Sequence, residues 1–317
     1  MHRQTTKFSD RVSKVANALE KRGIRATYEL HDRVLSNRTS RRRFSQEQPE
    51  LDDVQQKVVA DADARGYAVL HYSDLVGAET ASAVEGQGDR FAEETEDALE
   101  RERRGEGDTE LRRRAGKEFL VRAHSFEDVE LGLDDAWLAA CISPRMLDVA
   151  SGYLRLWPKL SYTDLWYSLA QPDAAERVAS QLWHRDFDDK HLLKAFLYLR
   201  DVDAGAGPFE YVPESQPGGR FESVSPWRPM GNGRVPEDEV AKAVPAEQVK
   251  TFVASRGTII FCNTSGLHRG GFATERPRII ATATYCSPAS LAALSERNYR
   301  FSGSLDELDS RARFAVT

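Results

Sequence analysis

Ser180-Gln-Leu-Trp-His-Arg-Asp186, followed after a short polar link by Leu192-Leu-Lys-Ala-Phe-Leu-Tyr-Leu199, is the stretch on which the reading of this chain turns. The second segment is apolar and contains aromatics, the pattern of a buried strand. Side chains alternate along an extended strand, so His184 and Asp186 point one way and Arg185 the other. The tripeptide thus sets an imidazole and a carboxylate side by side at a strand end. The same alternation puts Lys194, Phe196 and Tyr198 on one face of the strand that follows.

A second cluster lies further along. Gly257-Thr-Ile-Ile-Phe-Cys262 reads as a strand running into the turn Asn263-Thr-Ser-Gly-Leu-His268, which presents a histidine. A Gly-rich turn, Arg269-Gly-Gly-Phe-Ala-Thr-Glu-Arg-Pro277, leads to the next strand, Arg278-Ile-Ile-Ala-Thr-Ala-Thr-Tyr285, expected beside the one that delivers His268. Two imidazoles and one carboxylate bind one face of a ferrous ion and leave three positions open. A guanidinium at the head of a neighbouring strand can hold a carboxylate through two parallel hydrogen bonds. Any one of the seven histidines, taken alone, fits a surface or hydrogen-bonded core role better than a ligand role. The ordered combination of His184, Asp186, His268 and Arg278 carries the metal reading. Arg276 is the rival anchor, but it precedes Pro277 within the turn and ranks below Arg278.

On these residues the chain resembles the phytanoyl-CoA dioxygenase family of non-haem iron, 2-oxoglutarate-dependent oxygenases. The resemblance is carried by Gln181-Leu-Trp-His-Arg-Asp186, by Gly205-Ala-Gly-Pro-Phe-Glu-Tyr-Val-Pro-Glu-Ser215, and by His268 through Arg278. Ala64-Arg-Gly-Tyr-Ala-Val-Leu70 matches the family's helix, Gly-Tyr, strand opening, so the resemblance covers about residues 51 to 290. It implies an α+β fold with a mainly β core, a double-stranded β-helix (jelly-roll, cupin-like) flanked by N-terminal helices. It further implies His184, Asp186 and His268 as Fe(II) ligands, Arg278 as the 2-oxoglutarate anchor, and Phe196 near that co-substrate. Trp166, Tyr167 and Ser168, in the strand before the turn region 170–179, are further candidates to approach the iron. Two departures stand out: Pro213-Glu-Ser-Gln216 replaces a loop that often ends in histidine, and Ile280 stands where some related enzymes put a hydroxyl beside the arginine.

Related halogenases replace the carboxylate with Ala or Gly. Asp186 is kept, which argues against chlorination. The resemblance implies a dioxygenase that uses O2, converts 2-oxoglutarate to succinate and CO2, and oxidises an aliphatic carbon of a small-molecule metabolite. Hydroxylation is the default outcome, and desaturation, cyclisation and epimerisation are open to the same chemistry. A place in secondary metabolism is the expectation. Two other classes fit the ligands: a cupin-type isomerase or hydrolase with another metal, needing no Arg278, and a non-catalytic metal-binding protein of the same fold.

Composition sets the frame. The chain has 317 residues, 40% of them hydrophobic, enough for a sizeable core in one catalytic domain. Cys141, Cys262 and Cys286 are an odd number without paired spacing, which argues against a disulfide framework or zinc cluster. With no apolar signal core and no long apolar run, the expectation is a cytoplasmic protein without membrane association, a monomer or homodimer. Residues 1 to 50 hold 12 Lys/Arg against 6 Asp/Glu, a local +6, leaving -12 on the rest of a chain whose net charge is -6. The run Arg38-Thr-Ser-Arg-Arg-Arg43 is short, lacks interleaved aromatics and belongs to an acidic protein, so a solvated or intramolecular role is expected rather than nucleic-acid binding.

The expected layout is a basic helical extension over 1–50 and an oxygenase domain over 51–317. Ser9 is placed to cap a helix carrying Val12, Val15, Ala16 and Leu19, with Gly23 as its stop. Leu51 through Arg65 predicts a second helix ended by Gly66. The charged stretch from Glu85 to Arg114 predicts a helix and a loop able to cover the site. Asp134 to Leu156 predicts two short helices broken at Ser143-Pro144. Residues 216–250, with prolines at 217, 226, 229, 236 and 245, form a long loop expected to act as a lid at the substrate entrance, with Trp227 and Arg228 as contacts. Phe187, Asp188 and Lys190 are read as solvated residues at the mouth.

Overall fold

The computed structural model describes residues 22–23, 26–106, 111–114, 116–124, 129–173, 176–229, 231 and 234–317. The helix expected from Ser9 lies outside these residues except at its end, where 22–23 are helical. After a helical stretch over 26–33 come α1 (Ser36–Gln46) and α2 (Asp53–Arg65). Asp52 accepts a bond from the Gln55 N–H while Gln55 accepts one from the Asp52 N–H, satisfying two donors that the helix start leaves bare. Gly66, at φ 80°, ends α2 in the left-handed region. The chain then enters β1 (Tyr67–His71), α3 (Tyr72–Val76) and α4 (Ala78–Arg103).

Next come β2 (Arg113–Arg114), β3 (Lys117–Arg122), β4 (Glu130–Leu131), α5 (Ala136–Cys141) and α6 (Pro144–Leu154). The break between α5 and α6 falls where expected, with Pro144 opening the second helix, whose first N–H needs no intrahelical partner. The remaining elements are β5 (Lys159–Ser168), β6 (Leu192–Tyr198), β7 (Glu210–Tyr211), α7 (Glu237–Ala243), β8 (Lys250–Thr251), β9 (Thr258–Cys262), β10 (His268–Arg269), β11 (Arg278–Cys286), α8 (Leu291–Ser295), β12 (Arg300–Phe301) and α9 (Ser310–Val316).

The fold is a mixed helix and antiparallel-sheet architecture. Seven strands order as β1-β9-β6-β11-β5-β3-β2, and three more, β10-β7-β8, form a smaller sheet. Alternation along the central strands divides the core. Leu193, Ala195 and Leu197 of β6, with Ile279 and Ala281 of β11, face a large cluster containing Val84, Ala92, Trp137 and Met146 of the helices. Phe196, Tyr198, Ile260 and Ile280 face the other way and meet Phe209, Tyr211 and Phe252 around the small sheet. Each fully buried side chain of this size contributes about 1.5–3 kcal/mol by leaving water. The small sheet is held over the large one by aromatic edges, with Phe196 and Phe209 centroids 5.0 Å apart and Tyr67 and Phe252 5.1 Å apart.

Several expectations need correction. Helix α4 does not cover the cavity that holds His184 and His268, because Val84, Ala92 and Leu99 bury its apolar stripe in the core on the opposite face of the large sheet. Residues 107–110, part of the loop expected after it, lie outside the described residues. His184 and Asp186 do not sit on a regular strand: Ala179–Gln181 is a 3-10 turn and His184 makes only isolated bridges, to His268 and Arg234. Nor is β11 adjacent to β9, the strand that leads to His268. β6 lies between them, and His268 itself belongs to the small sheet, so His268 and Arg278 come from opposing sheets. The three cysteines are free and buried, and among the described residues no helix is long and apolar enough to cross a membrane.

Residues 26–46 dock on the rest of the chain through polar contacts. The Tyr28 hydroxyl donates to Asp189, Asn37 donates to Asp32 and Ser287, and the Ser40 hydroxyl donates to the Trp157 carbonyl. Within the arginine run, Arg41 pairs with Asp32 and Arg43 lies 5.2 Å over the Trp157 ring, so both make intramolecular contacts.

Candidate metal centre

Two backbone straps bring the ligand stretches together. His184 N–H donates to the His268 carbonyl at 2.8 Å, His268 N–H returns a bond at 2.9 Å, and Asp186 N–H reaches the Thr264 carbonyl at 2.8 Å. On the far side, Arg185 buries its guanidinium among backbone carbonyls, donating to those of Ser215, Ser265 and Val224. Burial pushes the Arg185 side chain down to about 10. Arg185 therefore anchors the stretch from behind while its neighbours face the cavity, as alternation requires.

Among the described residues, His184, Asp186 and His268 form the one cluster of His, Cys, Asp and Glu groups able to hold a metal ion, each offering one ligand atom, all within 4.8 Å of one another. His184 Nδ1 lies 2.8 Å from the Leu182 carbonyl and His268 Nδ1 lies 3.0 Å from the Gly266 carbonyl. Each Nδ1 carries the proton and each Nε2 presents a lone pair, the arrangement a metal ligand needs. His184 Nε2 is 4.0 Å from Asp186 Oδ1, and His268 Nε2 is 3.8 Å from Asp186 Oδ2. The three donors face one another without hydrogen bonding, a spacing that suits a cation between them. Burial drives His184 well below the usual imidazole range and His268 down to about 4, so both are neutral at pH 7. Burial alone would raise the Asp186 carboxyl, but the Lys194 ammonium, 2.5 Å away, holds it well below the carboxylate range.

The cavity in front of this cluster is lined by Trp166, Ser168, Phe196, Tyr198, Phe209 and Arg278, among others. Arg278 is 7% exposed. Its guanidinium donates to the Gly207 carbonyl, its Nε has no partner, and among the described residues no carboxylate pairs with it. Burial lowers its pKa, with only the Tyr198 hydroxyl opposing. A buried cation without a counter-ion is costly, and a ligand anion would relieve that cost. Close backbone approach fixes its position: a Cβ on Gly271 would lie 1.7 Å from the Gly207 carbonyl, so only glycine lets the two turns meet beneath Arg278. Arg276, the rival, pairs with Asp203 at the surface.

The structure thus brings His184, Asp186, His268, Arg278, Phe196 and Trp166 to one cavity. Other candidates fall elsewhere. None of the described residues of 216–250 lines the cavity; Trp227 and Arg228 line a separate groove with Arg185 and Phe187, and the Trp227 indole donates to the Asp186 carbonyl from behind. Val235, Val240 and Val244 of this loop pack with Trp183 and Leu267, which makes it a buttress in place of the expected lid. Gln216 is buried against Tyr211 and Gly66. Lys190 pairs with Glu29 and Asp32, and Asp188 is half-buried, which pushes its carboxyl up to about 6. Ser168 lines the cavity beside Trp166, while Tyr167 between them turns to the helix-side core; nothing in the sequence marked Gln181 and Phe209 as lining residues or pointed to a partner for Lys194. Strand alternation had put Lys194 on the right face, but only the fold reveals its partner.

No family model and no curated protein matches this chain. Among solved structures, it is similar to EctD from S. alaskensis in its apoform, with 18% identity over 74% of this chain and 77% of that one and a TM-score of 0.47. It is also similar to the non-haem α-ketoglutarate-dependent epimerase SnoN from nogalamycin biosynthesis, with 16% identity, 73% and 82% coverage and a TM-score of 0.46. A third is HygX from Streptomyces hygroscopicus, with nickel and 2-oxoglutarate bound, at 14% identity, 74% and 87% coverage and a TM-score of 0.43.

Proposed function

We propose that this chain is an Fe(II)- and 2-oxoglutarate-dependent oxygenase, with its two facing sheets forming a double-stranded β-helix of the phytanoyl-CoA dioxygenase type. His184, Asp186 and His268 hold the iron, and Arg278 clamps the distal carboxylate of the co-substrate. The observation that carries this reading is the pairing, in one cavity, of a His-Asp-His cluster with a buried guanidinium that no carboxylate among the described residues neutralises. A metal-dependent isomerase or hydrolase would not need the oxoacid anchor that Arg278 offers.

Iron bound there supplies oxidation by O2 coupled to decarboxylation of the oxoacid, giving succinate and CO2. The protein's own residues orient and exclude water. The carbonyls of Leu182 and Gly266 fix both imidazoles, and Phe196, Phe209 and Trp166 keep the space beside the cluster apolar. The reading extends to an aliphatic carbon of a small metabolite as the site of oxidation, with hydroxylation as the outcome.

Adding Fe(II) and 2-oxoglutarate without oxygen should produce a visible charge-transfer absorption, and admitting oxygen should release succinate. Failure of both would favour the isomerase or hydrolase alternative.

A further inference from the structure

The side chain in closest contact with the ligand cluster is not one of its three members. Lys194 Nζ lies 2.5 Å from Asp186 Oδ2, and both side chains are 17% exposed. β6 presents Lys194 to the cavity on the same face as Phe196 and Tyr198, opposite Cys262 on β9 and Thr284 on β11. The ammonium therefore rises from a rigid central strand, and its bond to Asp186 joins the large sheet to the stretch that carries two of the three ligands.

A carboxylate has two oxygens and can give a cation one or both. Oδ2 is engaged by Lys194 in a charge-assisted bond, among the stronger kinds of hydrogen bond. Each oxygen lies near one imidazole, Oδ1 4.0 Å from His184 Nε2 and Oδ2 3.8 Å from His268 Nε2, but among the described residues only Oδ2 is also held by an ammonium. We propose that Lys194 is a positioning residue that restricts Asp186 to one-oxygen ligation, so that the metal keeps the open positions an oxoacid needs to bind through two oxygens. This inference rests on the metal reading above.

The charge of Lys194 also bears on the bound cation. An ammonium beside the carboxylate repels a divalent ion and draws electron density from its ligand. Removing the ammonium should therefore not weaken metal binding, while freeing Oδ2 to take a coordination position should weaken the oxoacid. A lysine that served only packing would change neither, or would lose both together.

The test uses the full chain with Co(II), whose visible absorption reports coordination, and then 2-oxoglutarate titrated into the Co(II)-loaded protein without oxygen. Lys194→Met should bind Co(II) at least as tightly as the wild type, show an altered Co(II) spectrum, and bind 2-oxoglutarate about tenfold or more weakly. Lys194→Arg, which keeps the charge, should restore most of the 2-oxoglutarate affinity, and thermal melts of both apo proteins report whether they fold. Unchanged spectrum and affinities in Lys194→Met would overturn the inference while leaving the metal reading intact, as would parallel loss of Co(II) and 2-oxoglutarate in a folded variant. A wild-type chain that binds no Co(II) would remove the metal reading and this inference with it.

Discussion

At the scale of single residues, Asp186 and Arg278 bring opposite charges into one cavity and should respond differently to substitution. Arg278→Ala removes one member of the proposed buried charge pair, a change that costs about 2–5 kcal/mol where such pairs have been truncated. The 2-oxoglutarate requirement should rise by at least about tenfold with metal affinity little changed, read by titrating co-substrate into metal-loaded protein. An unchanged requirement would show that another group takes the carboxylate. His268→Ala should do the reverse, abolishing Co(II) or Fe(II) binding in a calorimetric titration, because two donors cannot replace a set of three. Retention of metal at wild-type affinity would remove His268 from the ligand set.

At the scale of elements, the N-terminal segment hangs on charge. Asp32 is buried, accepts hydrogen bonds from Asn37 and Arg41, and lies within ion-pair distance of Lys190 and His191. Burial opposes its ionisation, but the bonds from His191, Lys190 and Asn37 prevail and hold the carboxyl well below its usual range. Its folded pKa thus lies below the unfolded value of about 3.9, so its stabilisation is complete above that value and lost as pH falls below it. Acid should release residues 26–46 before the core unfolds. The Trp227 ring lies 5.3 Å from that of Tyr28, tilted against it, so tryptophan emission should report that release. Asp32→Asn should flatten the dependence, and a profile equal to the wild type's would assign the docking to other contacts. The start of α2 offers a simpler case. Asp52→Ala loses the cap and should cost about 0.5–2 kcal/mol in denaturant unfolding.

At the scale of the whole molecule, the large sheet is a partition. Its helix-covered face stores stability and its other face carries the site, so the two should be separable by mutation. Leu197, fully buried on the helix side, should cost about 2–5 kcal/mol when truncated to alanine, measured by chemical denaturation, while Co(II) affinity of the folded fraction stays near wild type. Phe196, its neighbour on the opposite face, should move co-substrate binding as well as stability. Equal effects of both substitutions on ligand binding would mean that the sheet does not insulate its faces.

Much of the site was legible because it rests on local rules. The two-residue spacing of His184 and Asp186, the turn after β9 that delivers His268 and the proline that marks Arg278 off from Arg276 are short-range signals. The same holds for α2, whose cap and stop are written in Asp52, Gln55 and Gly66. One misreading is local, the 3-10 turn and irregular stretch that stand where a strand was expected around His184, and the others concern contacts between distant segments. Residues 216–250 look like a lid in sequence because prolines and glycines crowd them, yet the valines between them find Trp183 and Leu267 across the chain. The charged 85–114 stretch reads as a helix and loop able to cover the site, yet the apolar stripe of its helix is buried against the far face of the large sheet. Sequence by itself determined which residue types form the site and how they are spaced along strands and turns, since backbone alternation and turn geometry are local. Tertiary structure alone decided that His268 and Arg278 approach from opposing sheets, that no carboxylate among the described residues meets Arg278 and that Lys194 holds Asp186. Charge pairing and burial depend on which segments meet, and that is settled only when the two sheets close over a common core.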